Sequence, residues 1–212
     1  MMKDNEKRAP FIVFEGIDGS GKSTQLKLLC EKLRTLGIKY VSTREPTDER
    51  IGRFIRSILS GDTPADNRVT AALFVADRLD HLFSPQYGMT GILENGTAVI
   101  CDRYYFSSYA YHSVDLPMKW VMEANSVAAE TLRADCTVFI DLQPEKAMAR
   151  IRKNRENVEI FETLARQTAV RENYLKAFSL TKDVENVVMI DGDRPAEEIA
   201  KDVWDAVKKY FE

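Results

Sequence analysis

The chain has 212 residues, 44% of them hydrophobic and 30% charged, with a formal net charge of −3 at pH 7. That length suits an α/β domain with a real core. So slight an acidic excess excludes a global electrostatic pull on nucleic acid or on an anionic membrane, and any phosphate binding must come from a local cluster of Arg and Lys.

Residues 1–9 are charged, lack an apolar stretch and read as a disordered arm, not a signal peptide. Phe11–Phe14 predicts the first strand. Leu26, Leu29, Leu33 and Leu36 follow at helical spacing, with Gly37 as the stop. Further strands are predicted at Ile38–Val41, Ala98–Cys101, Thr137–Leu142 and Val187–Ile190. Most of these runs are continuously apolar, the pattern of strands covered on both faces of a parallel sheet. The basic, Asn-interrupted stretch Arg150–Glu159 reads as an exposed loop between two helices, and Ile199, Val203, Val207 and Tyr210 give the last helix one apolar face. Strand and helix alternate without a linker, which predicts one doubly wound α/β domain over residues 1–212.

The longest apolar run, Ala71–Ala76, is far short of the roughly 18 residues that cross a bilayer. The cysteines Cys30, Cys101 and Cys136 and the histidines His81 and His112 lack metal-ligand spacing, so thiols in a reducing cytoplasm are expected.

Gly16-Ile17-Asp18-Gly19-Ser20-Gly21-Lys22-Ser23 satisfies G-x-x-x-x-G-K-[ST] in full, after a strand and before a helix. Glycines let successive N–H groups face phosphates, and the helix N-terminus adds partial positive charge. Lys22 is then placed for the outer phosphates of ATP, Thr24 joins the loop as an ATP-binding residue, and the Ser23 hydroxyl is placed for Mg²⁺. Val99-Ile100-Cys101-Asp102 is an apolar strand ending in a carboxylate that can hold the same Mg²⁺. Asp141 and Asp191 also end strands and are read as structural turns.

Phe14 to Gln25 resembles the opening of a thymidylate kinase, and four later segments agree in order: Arg44-Glu45-Pro46, Phe74 to Arg78, Asp102 to Tyr111, and the stretch 150–159. The resemblance implies a three-layer P-loop fold with a five-stranded parallel sheet and a short mobile lid at 150–159. It implies transfer of phosphate from Mg·ATP to thymidine monophosphate (dTMP) by a cytoplasmic homodimer that needs neither nucleic acid nor membrane. It also assigns roles. Arg44 and Arg103 hold the acceptor phosphate, Phe74 stacks on thymine, and Arg78 reaches a base oxygen. Asp18 faces the sugar or acceptor phosphate, Ser108 faces the base, and Tyr111 closes over the sugar.

Two arginines at strand ends suit a phosphate acceptor on chemical grounds as well, because Arg forks match phosphate oxygens; surface ion pairs are the plainer alternative. For Phe74 the plainer alternative is a core residue. Some thymidylate kinases carry a basic residue at the position of Gly19. Here the charge is expected from the lid, Arg155 first and Arg152 second, with Arg150 covering adenine. His112 stands where the family often has Gln, and Thr47 to Arg50 lacks the family's common glycine pair. Two other readings stay open: another nucleoside monophosphate or deoxynucleoside kinase, and an ATP-gated regulatory module without turnover.

Overall fold

A computed structural model describes residues 8–154 and 163–212. β1 (Phe11–Glu15) leads through the glycine loop into α1 (Lys22–Thr35), and β2 (Tyr40–Arg44) into α2 (Arg50–Leu59), α3 (Asn67–Phe83) and α4 (Met89–Glu94). β3 (Ala98–Asp102) precedes α5 (Tyr105–Tyr111), α6 (Met118–Ala124) and α7 (Ser126–Thr131). β4 (Cys136–Asp141), α8 (Pro144–Asn154), α9 (Leu164–Thr181), β5 (Val187–Asp191) and α10 (Ala196–Val207) complete the order.

The five strands form one parallel sheet in the order β2-β3-β1-β4-β5. Alternate residues serve opposite layers, as the pleat dictates. Phe11, Val13, Val99, Cys101 and Phe139 pack with Tyr105 and Phe106 of α5 and Tyr174 and Phe178 of α9. Ile12, Phe14, Ile100, Val138 and Ile140 pack with Leu29 and Leu33 of α1 and Ile199, Val203 and Val207 of α10. Each such side chain, fully buried, contributes about 1.5–3 kcal/mol. The result is the expected three-layer α/β/α arrangement, with β1, β3 and β4 as continuous apolar runs because helices cover both faces.

Register levels the C-terminal ends of the strands: Asp102 stands beside Phe14 on one side and Arg44 on the other, and Asp141 stands beside Asp191. The phosphate loop and the candidate ligands therefore share one sheet edge.

Three boundaries differ from expectation. β2 starts at Tyr40, not Ile38, because Ile38 still belongs to the end of α1: its N–H donates to Leu33 O (3.0 Å) beyond Gly37, which takes φ 71°. The stretch expected to be a loop from Arg150 is helical through Asn154, since Ala147, Met148 and Ile151 bury one continuous face of α8. Arg8 and Ala9, placed in the disordered arm, are tied down: Arg8 pairs with Asp135 (2.7 Å) and Ala9 N–H donates to Leu93 O (3.1 Å). The expectation for Arg155 lies outside the described residues.

Candidate active site

The P-loop wraps as its glycines require. Gly19 takes φ 78°, and a Cβ there would lie 2.6 Å from Ala147 O, so a side chain is excluded by conformation and by space together. Gly21 caps α1 in the left-handed region without a side-chain hydrogen bond, leaving the first N–H groups of the helix open toward an anion. A cavity of about 530 Å³ lies over this loop, lined by Asp18 to Gln25, Asp102, Arg103, Arg150, Arg194 and Ala196 among others. Gly16 and Ile17 form its inner support: their carbonyls accept from Arg103 Nη1 (3.3 Å) and Lys22 Nζ (3.0 Å).

Lys22 is buried, and burial together with Arg103 pushes its pKa down to about 8 against the pull of Asp18, Asp102 and Glu15. Ser23 Oγ donates to Asp102 Oδ2 (3.0 Å), while Asp102 Oδ1 is buried without a hydrogen-bond partner among the described residues. A hydroxyl and a carboxylate with an unsatisfied oxygen suit a hard cation such as Mg²⁺, which favours one or two carboxylates completed by phosphate oxygens and water.

Arg150, expected over adenine, spans the cavity wall: Nη1 donates to Ser20 O (3.2 Å) and Nη2 to Gly192 O (2.9 Å). Arg152 is exposed in the last turn of α8 and lines none of the three cavities described. Asp141 takes a two-pronged ion pair from Arg171 (2.7 and 2.8 Å), and Asp191 accepts from Asp193 N–H (2.9 Å), so both are structural, as read.

A second cavity of about 380 Å³ is walled by Phe74, Tyr111, His112, Ser108, Pro46, Thr70 and Arg166, and it shares Asp18 and Arg103 with the first. At that seam Arg103 Nη2 donates to Asp18 Oδ1 and to Tyr111 Oη (3.0 Å), and Tyr111 donates to Asp18 Oδ2 (3.0 Å). Burial raises the Asp18 pKa, but Arg103 and Lys22 outweigh it and hold the carboxyl below its usual range. Arg103 has φ 72°, a left-handed conformation costly for a residue with a Cβ; its N–H donates to Phe14 O (2.9 Å).

Phe74 is half-buried in the cavity wall, its ring edge-on to His112 at 5.0 Å between centroids. Burial, with Arg78 and Arg166 nearby, pushes the His112 pKa down to about 3, so the imidazole is neutral at ordinary pH.

Two expectations need correction. Arg78 does not open onto the cavity: it is 1% exposed, and its guanidinium is committed to Glu45 (2.6 Å), Ser108 Oγ (3.1 Å) and Asn125. It braces Ser108 and Glu45, which do line the cavity. A buried guanidinium left without Glu45 is too costly, so the pair is held inside the wall. Arg44 is absent from the wall of the second cavity; it borders a third hollow with Ser23 and Asp102 and pairs with Asp48 (2.6 Å).

Sequence reasoning missed Arg166, Arg194 and Glu15. Arg166 lies in the first turn of α9 and meets Asp115 (2.9 Å) at the second cavity; Arg194 lines the first. Glu15 is fully buried beneath Arg103. Its one sequence signal is a carboxylate closing an otherwise apolar strand.

The sequence matches the thymidylate kinase family over residues 14–203. It is 38% identical to a probable thymidylate kinase of Pyrococcus abyssi over 95% of this chain and 97% of that protein. It is 37% identical to a thymidylate kinase of Symbiobacterium thermophilum, covering 91% and 90% of the two chains. With a thymidylate kinase of Leptospira borgpetersenii the identity is 34%, over 95% and 94%.

Proposed function

The chain belongs to the thymidylate kinase family, and from that premise we propose how its two cavities divide the work. The reaction is the ATP-dependent phosphorylation of dTMP, and the chain is a nucleoside monophosphate kinase. In our reading the first cavity takes ATP. P-loop N–H groups and Lys22 hold its phosphates, and Arg150 and Arg194 flank the adenine end. Ser23 and Asp102 would hold Mg²⁺, which when bound offsets phosphate charge.

The second cavity takes dTMP. Phe74 lies against the pyrimidine, and Tyr111 against the sugar where a 2′-hydroxyl would project. Ser108, braced by Arg78, lines the base end. Arg103 meets the acceptor phosphate, and Asp18, paired with it, faces the sugar or that phosphate. The observation that carries this reading is that Asp18 and Arg103 line both cavities. An acceptor phosphate oxygen can then attack the γ-phosphorus directly, without a protein nucleophile, while positioning and electrostatics lower the barrier. A further cation for the transferring group comes, in our reading, from Arg155 before Arg152.

We infer a cytoplasmic homodimer. Buried free thiols suit a reducing compartment, and no helix among the described residues is long and apolar enough to cross a membrane. α3, α6 and α7 pack together and leave Val69, Phe83, Trp120 and Val127 exposed, a surface suited to a second copy.

The test is ADP release with ATP and a panel of nucleoside monophosphates and deoxynucleosides. Turnover should be fastest with dTMP. Preference for a nucleoside, or no turnover with any acceptor, would overturn the reading.

A further inference from the structure

Glu15 accepts from four donors, two for each oxygen. Oε1 takes the N–H groups of Tyr104 (2.8 Å) and Ser107 (3.1 Å), and so caps α5 from a neighbouring strand. Oε2 takes the hydroxyls of Ser107 (2.6 Å) and Tyr174 (2.8 Å). The same two hydroxyl oxygens receive Arg103 Nη1, at 3.0 Å and 3.3 Å. Each hydroxyl has one proton, and with both protons turned to Glu15 both oxygens present lone pairs to the guanidinium.

We propose that Glu15 is a positioning residue for phosphoryl transfer, holding Arg103 at the seam of the two cavities by fixing the proton direction of Ser107 and Tyr174. The backbone part of the contact supports the left-handed turn at Arg103, and the hydroxyl part aims its side chain. Only a carboxylate serves both. A glutamine must keep its oxygen toward the two backbone N–H groups, which puts its NH₂ against the two hydroxyls. A hydroxyl that accepts from that NH₂ turns its proton away from residue 15, toward its neighbour or toward Arg103, and the guanidinium loses an acceptor. Glu15 is fully buried and reaches neither cavity, so it acts through Arg103 and touches no substrate.

The inference rests on the reading that Arg103 holds the acceptor phosphate, so Arg103→Lys is measured beside Glu15→Gln and Tyr174→Phe. Steady-state kinetics with each substrate varied, together with melting temperature, give the readout. Glu15→Gln should lower kcat/KM for dTMP by about tenfold to a hundredfold, the scale of a lost charge-assisted hydrogen bond, with the KM for ATP unchanged. Tyr174→Phe, which removes one hydroxyl and keeps the ring, should give a smaller loss of the same selectivity. In the Arg103→Lys background, Glu15→Gln should cost little more. If Arg103→Lys leaves dTMP kinetics intact, the reading of Arg103 fails. If Arg103→Lys is impaired but a folded Glu15→Gln is not, or loses both substrates equally, the role of Glu15 fails. Should Glu15→Gln not fold, Tyr174→Phe decides: unaltered dTMP kinetics in that variant overturns the proposal.

Discussion

Lys22 illustrates how burial sets a charge to be completed by substrate. Its pKa near 8 reflects burial and the neighbouring Arg103. ATP phosphates favour the ammonium form and raise that pKa, so binding near pH 8 takes up protons. Calorimetric titration of ATP at pH 8, in buffers of differing ionisation enthalpy, should show net proton uptake that Lys22→Met abolishes; no buffer dependence would contradict the assignment. The sign for stability follows from the same shift. The folded pKa lies below the ordinary 10.5, so the fold bears the cost of a buried charge below about pH 8. That cost fades as pH rises from about 8 toward 10.5, and stability gains over that window.

Phe74 separates recognition from packing. Phe74→Ala should raise the KM for dTMP, since base–aromatic stacking is worth roughly 1–3 kcal/mol, and leave ATP unaffected. A lowered melting temperature with unchanged dTMP affinity would mark it as a packing residue only. That Lys22, Ser23 and Asp102 lie together was legible in sequence because they come from one contiguous motif and one strand end. Glu15, Arg166 and Arg194 were not, because each acquires its partner only when distant segments meet. Arg78 misled for a related reason: its place on α3 gives no sign that Glu45, thirty-three residues earlier, turns its guanidinium inward.

Among the elements, strand positions were read to within about three residues, and most closely for β1, β3 and β4, because parallel strands buried on both faces are continuously apolar. The start of β2 was missed where a helix cap and a strand compete for Ile38. The length of α8 was missed because basic residues on its outer face concealed Ala147, Met148 and Ile151 on the inner one. α2 presents a sharper constraint. A Cβ on Gly52 would lie 1.9 Å from Thr47 O and 2.6 Å from Thr47 N, both backbone atoms that cannot swing aside. Gly52→Ala should therefore destabilise the protein by about 1–3 kcal/mol, as overpacking does. It should also displace the turn from Glu45 to Thr47, which Asp77 holds through Thr47 N–H (2.8 Å) and Oγ1 (2.6 Å). Thermal unfolding checks this, and an unchanged melting temperature would show that α2 and the turn can separate freely.

For the whole molecule, levelled strand ends bring the P-loop, Asp102 and Arg103 to one edge, and the helices beyond them enclose two cavities that touch at Asp18 and Arg103. In the proposed reading both substrates are bound at once, and phosphate passes directly between them. The fold class was legible from the alternation of strands and helices, and the place of the first cavity from the glycine motif beneath it. The second cavity was less so, because its wall draws on α2, α3, α5 and α9 and on the segments between them. The most direct test of the central claim is the initial rate of dTDP formation with ATP and dTMP varied together. Direct transfer in a ternary complex predicts double-reciprocal lines that intersect. Parallel lines, the mark of a phosphorylated protein intermediate, would contradict it.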